Sequence, residues 1–270
     1  MSRLGIIAGG GALPVKLIEA ARRGGRDVFV LALRGQTDAR HLAHVAHAWV
    51  PLGAIDKAVA VLKTNDVTDV VLAGHVRRPS LWEMKPDLRT MQVFARLGMA
   101  AFGDDTILRA VAEELGKDGF NVIGAHEIEP DLLTPAGVLT KRAPTQAEQA
   151  DIDYGIKTMR MLGTLDIGQA VVVQQGIVLG VEAIEGTDAL LSRCRQLRRK
   201  GPGGVLVKGR KPQQDIRLDL PAVGLRTVRN AYEAGLAGIA AEAGASLMLD
   251  RGAVVAAADK LGLFIVGFNA

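Results

Sequence analysis

Short apolar runs alternate with helical patterns along the first half of the chain. Helical periodicity separates four such runs, which are LGIIA (residues 4–8), DVFVLAL (27–33), VTDVVLAG (67–74) and FNVIGA (120–125). Buried parallel strands are apolar on both faces and need helical crossovers, so this order predicts βαβ units. We therefore predict an α/β fold whose first domain, residues 1–130, contains a Rossmann-like parallel sheet.

A proline-rich break ends this pattern. Residues 126–145 hold three prolines, and we predict a linker at residues 131–145. Beyond it, two apolar runs flank QQG within residues 169–183, which indicates a β-hairpin. We expect a smaller, mixed α/β domain over residues 146–270. The hydrophobic content of 49% supplies enough apolar side chains for both cores.

The cysteine content and the hydropathy of the chain both indicate a cytoplasmic protein. Cys194 is the only cysteine, so no intramolecular disulfide can form, which fits a reducing environment. No stretch approaches the ~20 apolar residues that span a bilayer. The first residues also lack the pattern of a signal peptide. We therefore expect a cytoplasmic protein.

Positive charge is concentrated in one part of the chain. The net charge is +4, and residues 193–211 are rich in Lys and Arg and contain no acidic residue. Such a stretch suits nucleic acid, anionic lipid or a phosphorylated small molecule. With only 4% aromatic residues, base stacking is disfavoured, so we expect no nucleic-acid partner. A solvated helix face is the alternative for residues 193–200.

A glycine loop follows the first apolar run in GIIAGGGALP. Gly9, Gly10, Gly11 and Ala12 lie between a predicted strand and a predicted helix, where backbone N–H groups can bind a phosphate. The spacing is not G-x-G-x-x-G, and no acidic residue ends the second strand, so a dinucleotide site is disfavoured. A nucleotide site is predicted, and a tight turn without a ligand is the alternative.

The first half contains two further polar motifs, one after a predicted strand and one before a predicted helix. His75 and Arg77 lie just beyond the third of these strand-like runs, where open α/β sheets bind ligands, and they are candidate substrate-binding residues. Asp104 and Asp105 precede a helical stretch. One of these carboxylates can cap the helix, and the pair can also hold a divalent metal ion or a ribose.

An acidic junction, VEAIEGTD (residues 181–188), connects a strand to a helix in the second half. Glu182 lies within the strand pattern and needs a partner if it is buried, with Lys208 or Arg217 as candidates. Thr187 is a suitable N-cap for the following helix. We also consider Thr187 and Asp188 candidate substrate-binding residues.

The densest set of charges follows in VKGRKPQQDIRLDLP. In an extended chain, Asp215, Arg217 and Asp219 would lie on one face, because side chains alternate along a strand. The basic residues would neutralise a diphosphate, and a carboxylate would bind Mg²⁺ or orient a water, as phosphoryl transfer requires. The alternative is a hairpin edge with a surface salt bridge. The candidates here are Lys208, Lys211, Gln214, Asp215, Arg217 and Asp219.

Among these we assign catalysis to Asp219, Asp215, Arg217 and Lys208, and substrate binding to Lys211 and Gln214. Asp219 is the preferred essential carboxylate, because the following Leu-Pro places it at the end of the segment. Asp219, Asp104 and Asp105 are the candidate metal ligands. The sequence leaves open which of the two aspartates, Asp215 or Asp219, is essential.

Taken together, these motifs resemble the LpxI family of UDP-2,3-diacylglucosamine pyrophosphatases. The resemblance extends over nearly the whole chain, through GIIAGGGALP, GHVRRP, GDDTIL, VEAIEGTD, KPQQDIRLDLPAVGLRTV and GLFIVGF. It implies two α/β domains with a UDP-linked lipid held in the cleft between them. It also implies hydrolysis of the diphosphate to UMP and 2,3-diacylglucosamine 1-phosphate, helped by Mg²⁺ or another divalent cation.

Two other functional classes stay open at this point. One is a nicotinamide-dependent oxidoreductase that uses the glycine loop, and the other is a non-catalytic module that binds a nucleotide sugar or a lipid. Peripheral contact with the inner membrane and assembly as a homodimer are also open.

Overall fold

The computed structural model describes residues 2–77, 86–98 and 104–269, without the side chains of Asp104 and Asp105. Its contacts divide the chain into two units. Unit 1 consists of Met1–Pro130 and Asp215–Asp219, and unit 2 consists of Asp131–Gln214 and Leu220–Ala270. Both units combine strands and helices, so the predicted α/β class is confirmed.

A five-stranded parallel sheet forms the centre of unit 1. Its spatial order is β3-β2-β1-β4-β5. The order reverses direction between β1 and β4, which is the position at which doubly wound sheets bind ligands beyond their carboxyl ends. The strands are β1 (Arg3–Ala8), β2 (Val28–Leu33), β3 (Ala46–Val50), β4 (Val67–Ala73) and β5 (Asn121–Val122).

The helices of unit 1 connect these strands. The apolar side chains of β2 and β4 pack with Leu62, Leu115 and Leu218 in one core. Leu218 belongs to Asp215–Asp219, so a buried leucine attaches this short segment to unit 1. The helices are α1 (Leu13–Arg23), α2 (Ile55–Thr64), α3 (Leu88–Leu97), α4 (Asp104–Lys117) and α5 (Ala125–Ile128).

Unit 2 has a mixed six-stranded sheet in the order β6-β13-β11-β9-β7-β8. Strands β13, β11 and β9 are parallel, whereas β6 and β7 run antiparallel to their neighbours. The strands are β6 (Gly137–Val138), β7 (Ala170–Gln174), β8 (Ile177–Val181), β9 (Val205–Lys208), β11 (Gly238–Glu242) and β13 (Phe264–Phe268), and β10 (Ala222–Val223) pairs separately with β12 (Leu247–Met248).

The predicted hairpin of unit 2 is confirmed by the antiparallel pairing of β7 with β8. Its two turn residues, Gln175 and Gly176, have φ angles of 54° and 72°. Positive φ at both central residues is typical of the two-residue turns that fit the twist of a hairpin. The buried carboxylate of Asp151 accepts hydrogen bonds from both of their backbone N–H groups.

Four helices cover the sheet of unit 2, and the two faces of the sheet have separate apolar cores. Thr145 and Glu148 form a reciprocal capping box at the start of α6, which is the hydrogen-bonding pattern that defines a helix N-terminus. The helices are α6 (Gln146–Thr164), α7 (Gly186–Leu197), α8 (Leu225–Glu233) and α9 (Arg251–Leu261).

The segment predicted as a linker, residues 131–145, lies in unit 2 and contributes a strand to its sheet. Strand β6 pairs with β13 through Val138 and Gly137. Within the same segment, the Thr140 hydroxyl accepts a hydrogen bond from the backbone N–H of Ile265. The prolines therefore interrupt regular structure without separating the segment from the sheet.

No helix in the described parts of the chain is long and apolar enough to cross a membrane.

Candidate active site

The glycine loop of unit 1 is tied to the residues that follow β4. The Gly9 N–H donates to the Ala73 carbonyl at 2.8 Å. Gly10 and His75 exchange two backbone hydrogen bonds, of 2.8 Å to the His75 carbonyl and 3.1 Å to the Gly10 carbonyl. The N–H groups of Gly9 and Gly10 are thus bonded within the fold, and in this conformation they do not donate to a phosphate.

The same contacts explain why small residues are needed here. A Cβ atom on Gly10 would lie 2.8 Å from two atoms of the His75 ring. Gly74 has a φ of +91°, and a Cβ there would lie 2.3 Å from the Gly10 carbonyl oxygen. Gly11 also has a positive φ, of +89°. Close packing against the β4 loop therefore accounts for these glycines, whether or not the loop binds a ligand.

Ala12 and Arg77 complete the candidate nucleotide site of unit 1. Ala12 is the N-cap of α1 and makes no side-chain capping bond, and the first turn of α1 contains no acidic residue. Such a helix start favours an anion through its backbone N–H groups. His75 and Arg77 are both exposed at the same carboxyl edge of the sheet.

Gln36, which is not among the predicted site residues, fixes the backbone of Arg77. Its side-chain Nε2 donates to the Arg77 carbonyl at 3.2 Å, and its Oε1 accepts from the Arg77 N–H at 2.8 Å. This reciprocal pair joins the loop after β2 to the loop after β4. The position of Gln36 just beyond the second strand could have indicated a site residue, because α/β sheets bind ligands beyond the carboxyl ends of their strands.

Asp215–Asp219, the DIRLD segment, forms a turn at the carboxyl end of β5. The Leu218 N–H donates to the Asp215 carbonyl at 3.0 Å, and Arg217 Nη1 lies 3.5 Å from the carbonyl of Val122, the last residue of β5. The expectation of an extended chain with three charged residues on one face is therefore wrong. The turn places Leu218 in the core of unit 1.

Within this turn Arg217 is bonded to Asp215. The Arg217 N–H and Nε donate to Asp215 Oδ1 at 2.9 and 3.1 Å, and Nη2 donates to Oδ2 at 2.7 Å. These hydrogen bonds outweigh partial burial and hold the pKa of the Asp215 carboxyl below its ordinary value. An ionised carboxylate with both oxygens occupied is a poor general base.

Asp219 differs from Asp215 in its surroundings. Asp219 is exposed, and it follows Leu218 on the carboxyl side of the turn. The DIRLD segment lies at the end of β5, and the glycine loop, His75 and Arg77 lie at the ends of β1 and β4. Because carboxyl ends of parallel strands share one edge of a sheet, all these candidates lie at the same edge of unit 1.

Lys208 ends β9 in unit 2 and is bonded to Thr187. The Lys208 ammonium donates to the Thr187 hydroxyl at 2.8 Å, and this hydroxyl donates to Glu182 Oε1 at 2.6 Å. The expectation that Thr187 caps α7 is wrong, because the N-cap is Glu185 and no side-chain capping bond forms. The Thr187 hydroxyl is used by the buried Glu182 instead.

Lys211 and Gln214 support the turn that precedes the DIRLD segment. Lys211 Nζ forms an ion pair with Asp166 Oδ1 at 2.6 Å. Gln214 is buried, and its Oε1 accepts from the Lys211 N–H at 3.2 Å. Both side chains therefore have structural partners within unit 2.

Two buried polar atoms near the end of β9 have no hydrogen-bond partner among the residues that the structure describes. They are Gln169 Oε1, an acceptor, and Arg210 Nε, a donor. Gln169 precedes Ala170, which pairs with Lys208 in the sheet.

Asp188 is tied to α8 rather than to the Lys208 group. Its Oδ1 accepts from Asn230 at 2.8 Å, and its Oδ2 pairs with Arg226 at 2.7 Å. These bonds give Asp188 a role in joining α7 to α8.

The metal candidates belong to two different segments of unit 1. Asp104 and Asp105 begin α4, and their side chains lie outside the described part of the structure. Among the side chains that are described, no three His, Cys, Asp or Glu residues come together in a group that would hold a metal ion. Asp219 is exposed, and it is the metal candidate whose side chain lies within the described part of the structure.

Comparison with known proteins covers both units. Residues 3–132 match the LpxI N-terminal domain and residues 135–266 match the LpxI C-terminal domain. A curated relative from Caulobacter vibrioides, named UDP-2,3-diacylglucosamine pyrophosphatase LpxI, is 44% identical over 276 residues. This alignment covers 100% of the present chain and 98% of the relative.

Solved structures are much more distant. A precorrin-6A reductase, CobK, has 13% identity and a TM-score of 0.33, and a UDP-N-acetylglucosamine 4-epimerase from Bacillus cereus has 10% identity and the same TM-score. In each case the alignment covers 100% of this chain and 88% of the other. These likenesses are too low to bear on function. The match of both domains and the full-length identity to the curated relative show that the chain belongs to the LpxI family.

Proposed function

We propose that this chain hydrolyses the diphosphate of UDP-2,3-diacylglucosamine, giving UMP and 2,3-diacylglucosamine 1-phosphate for lipid A synthesis. One observation carries the proposal, namely 44% identity over the whole chain to the relative that bears this activity in its name. The reaction adds one water across the P–O–P bridge. It therefore requires cationic groups for the diphosphate and a group that positions the water.

Asp219 is the residue that we assign to the water or to a metal ion. The other carboxylate of the turn, Asp215, is bonded to Arg217 at both oxygens, so it is poorly suited to accept a proton or to bind a cation. Asp219 is exposed and is the carboxylate that we assign. Arg217 keeps a role as a positive charge next to the reacting diphosphate. This assignment rests on the hydrogen bonds that Asp215 makes to Arg217 and on the greater exposure of Asp219.

We propose Mg²⁺ as the cofactor, with Asp219 as its protein ligand and Asp104 and Asp105 as further candidates. Magnesium is commonly bound by one or two carboxylates together with substrate phosphates, so it does not need a cluster of three protein ligands. An exposed aspartate at the edge of the sheet fits this mode. When bound, the ion would neutralise charge on the phosphate oxygens.

The nucleotide would be bound by unit 1. The start of α1, His75 and Arg77 together offer backbone N–H groups and cationic or aromatic side chains at one edge of the sheet. Lys208 of unit 2 is the residue that we propose as a cation for the diphosphate. We place the reaction in the cytoplasm, with peripheral contact to the inner membrane through which the diacylated substrate is collected.

The test is incubation of the purified protein with UDP-2,3-diacylglucosamine and Mg²⁺, with the products identified by mass spectrometry. We expect UMP and 2,3-diacylglucosamine 1-phosphate in equal amounts, and loss of activity with EDTA that Mg²⁺ restores. Binding of the substrate without release of UMP would favour a non-catalytic module. Binding of NADH would reopen the oxidoreductase alternative.

A further inference from the structure

Glu182, Thr187 and Lys208 form a buried chain of hydrogen bonds. Glu182 and Lys208 are each only 6% exposed. Their opposite charges are connected by a single hydroxyl, since Lys208 Nζ lies 2.8 Å and Glu182 Oε1 lies 2.6 Å from Thr187 Oγ1. Burying two charges is costly unless hydrogen bonds satisfy them. Because of this cost, packing alone does not explain why two charged residues are buried here.

The direction of each hydrogen bond follows from the donors that are present. A lysine ammonium has only donors and an ionised carboxylate only acceptors, whereas a hydroxyl has one proton. Thr187 must therefore accept from Lys208 and give its proton to Glu182. A threonine in this state has no proton left for a phosphate oxygen, so it does not serve as a phosphate donor.

Glu182 in turn is held by the backbone. Its second oxygen, Oε2, accepts from the Gln169 N–H at 3.3 Å, and its own N–H donates to the Ala170 carbonyl at 2.8 Å. The carboxylate is thus fixed next to the first residue of strand β7. It fixes the rotation of the Thr187 hydroxyl, which directs a lone pair at Lys208.

We infer that Glu182 and Thr187 are positioning residues that hold the Lys208 ammonium in place for the anionic substrate. Thr187 accepts a hydrogen bond from one of the three N–H groups of the Lys208 ammonium. This bond fixes the directions in which the other two N–H groups point. The inference rests on the proposed function, because it assumes that Lys208 meets the diphosphate. It changes the role of Thr187 from substrate binding to positioning and adds Glu182, which carried no assigned role.

The test compares Glu182→Gln, Thr187→Val, their double variant and Thr187→Ser. We expect Glu182→Gln and Thr187→Val each to lower kcat by about 10- to 100-fold, by analogy with the loss of hydrogen-bond partners of metal ligands. The double variant should be no slower than Thr187→Val, because both changes break one chain. Thr187→Ser keeps the hydroxyl and should retain near-normal kcat.

A matched control is Thr158→Val. Thr158 is a partly buried threonine of α6 whose hydroxyl donates to the Tyr154 carbonyl, and its loss should leave kcat unchanged. Losses that add in the double variant, or a Thr187→Ser enzyme as slow as Thr187→Val, would overturn the inference.

A second measurement does not need activity. Acylation of Lys208 by an amine-reactive ester, followed by peptide mass spectrometry, should be faster in Glu182→Gln and Thr187→Val than in the parent protein. Exposed Lys200 serves as the internal reference. Unchanged acylation of Lys208 would refute the positioning role. If the parent protein released no UMP, the proposed function would fail, and the acylation rates would still decide whether Glu182 and Thr187 hold the Lys208 ammonium in place.

Discussion

Arg217 occupies both carboxylate oxygens of Asp215, with Nε 3.1 Å from Oδ1 and Nη2 2.7 Å from Oδ2. The pair lies within a turn of the DIRLD segment, and Asp219 follows on the other side of the buried Leu218. Two aspartates that look equivalent in the sequence therefore have different surroundings. This difference leads to the first prediction.

Replacing Asp219 should affect turnover much more than replacing Asp215. We expect Asp219→Asn to bind substrate but to lower kcat by at least about 100-fold, as for removal of a general base. Asp215→Asn weakens the contact with Arg217 and should mainly raise KM. Steady-state kinetics with release of UMP as the readout checks both, with exposed Asp153→Asn as the control. Equal loss of kcat in the two variants would contradict the assignment.

Removing the Gln36 side chain should weaken nucleotide binding. Gln36→Ala loses two hydrogen bonds to the Arg77 backbone, so the loop after β4 is no longer held. At about 0.5–1.5 kcal/mol for each neutral hydrogen bond, or about 1–3 kcal/mol for the two, we expect the Kd for UMP to rise roughly 5- to 140-fold. Calorimetric titration with UMP measures this, and Gln149→Ala on α6 is the control. An unchanged Kd would show that the hydrogen bonds between Gln36 and Arg77 do not support the nucleotide site.

Gly74 should be much less replaceable than Gly252. A Cβ on Gly74 meets the Gly10 carbonyl at 2.3 Å and the φ is +91°, whereas a Cβ on Gly252, in α9, meets nothing within 4 Å. Backbone strain of this kind costs about 1–3 kcal/mol, and the clash adds to it. We therefore expect Gly74→Ala to lower Tm in thermal unfolding. Gly252→Ala should leave Tm unchanged or raise it, because alanine is favoured in helices; equal Tm values would contradict the packing argument.

The ion pairs around Arg89 should make unit 1 sensitive to acid. Arg89 contacts Glu114 and Asp118. A hydrogen bond from Lys117 is the main cause that lowers the pKa of Glu114, and one from Lys63 does the same for the pKa of Asp118. Carboxyl groups with depressed folded pKa values contribute stability above their unfolded values, about 4, and this contribution is lost as pH falls through the folded values.

Arg89→Met is the variant that tests this pH dependence. It should lower the free energy of unfolding by about 1–3 kcal/mol at pH 7, because the nearly buried Glu114 loses a partner. The difference from the parent protein should shrink near pH 3. Urea unfolding at both values measures it, and Arg40→Met removes an exposed pair with Asp38 as the control. A difference that stays constant with pH would contradict the role of these carboxylates.

The sequence by itself determined the alternation of strands and helices in the first half and the residues that carry charge. Apolar runs interrupted by helical patterns are sufficient to predict a parallel sheet, because burial on both faces imposes continuous hydrophobicity on a strand. The β7–β8 hairpin was predictable for a similar local reason, since its turn residues must adopt positive φ. The motifs that resemble the LpxI family are also read directly from the chain.

Tertiary structure alone decided which of these residues are partners. Thr187 reads as a helix cap, but its hydroxyl joins Glu182 to Lys208, which lies 21 residues further along the chain. Likewise Gln36 meets Arg77, 41 residues away, and Leu218 attaches the DIRLD segment to the core of unit 1. Local patterns record propensity and burial, whereas a hydrogen bond between distant side chains depends on which strand ends the fold brings to one edge. For that reason the chemistry of the site could be predicted from the sequence, but the division of roles among its residues could not.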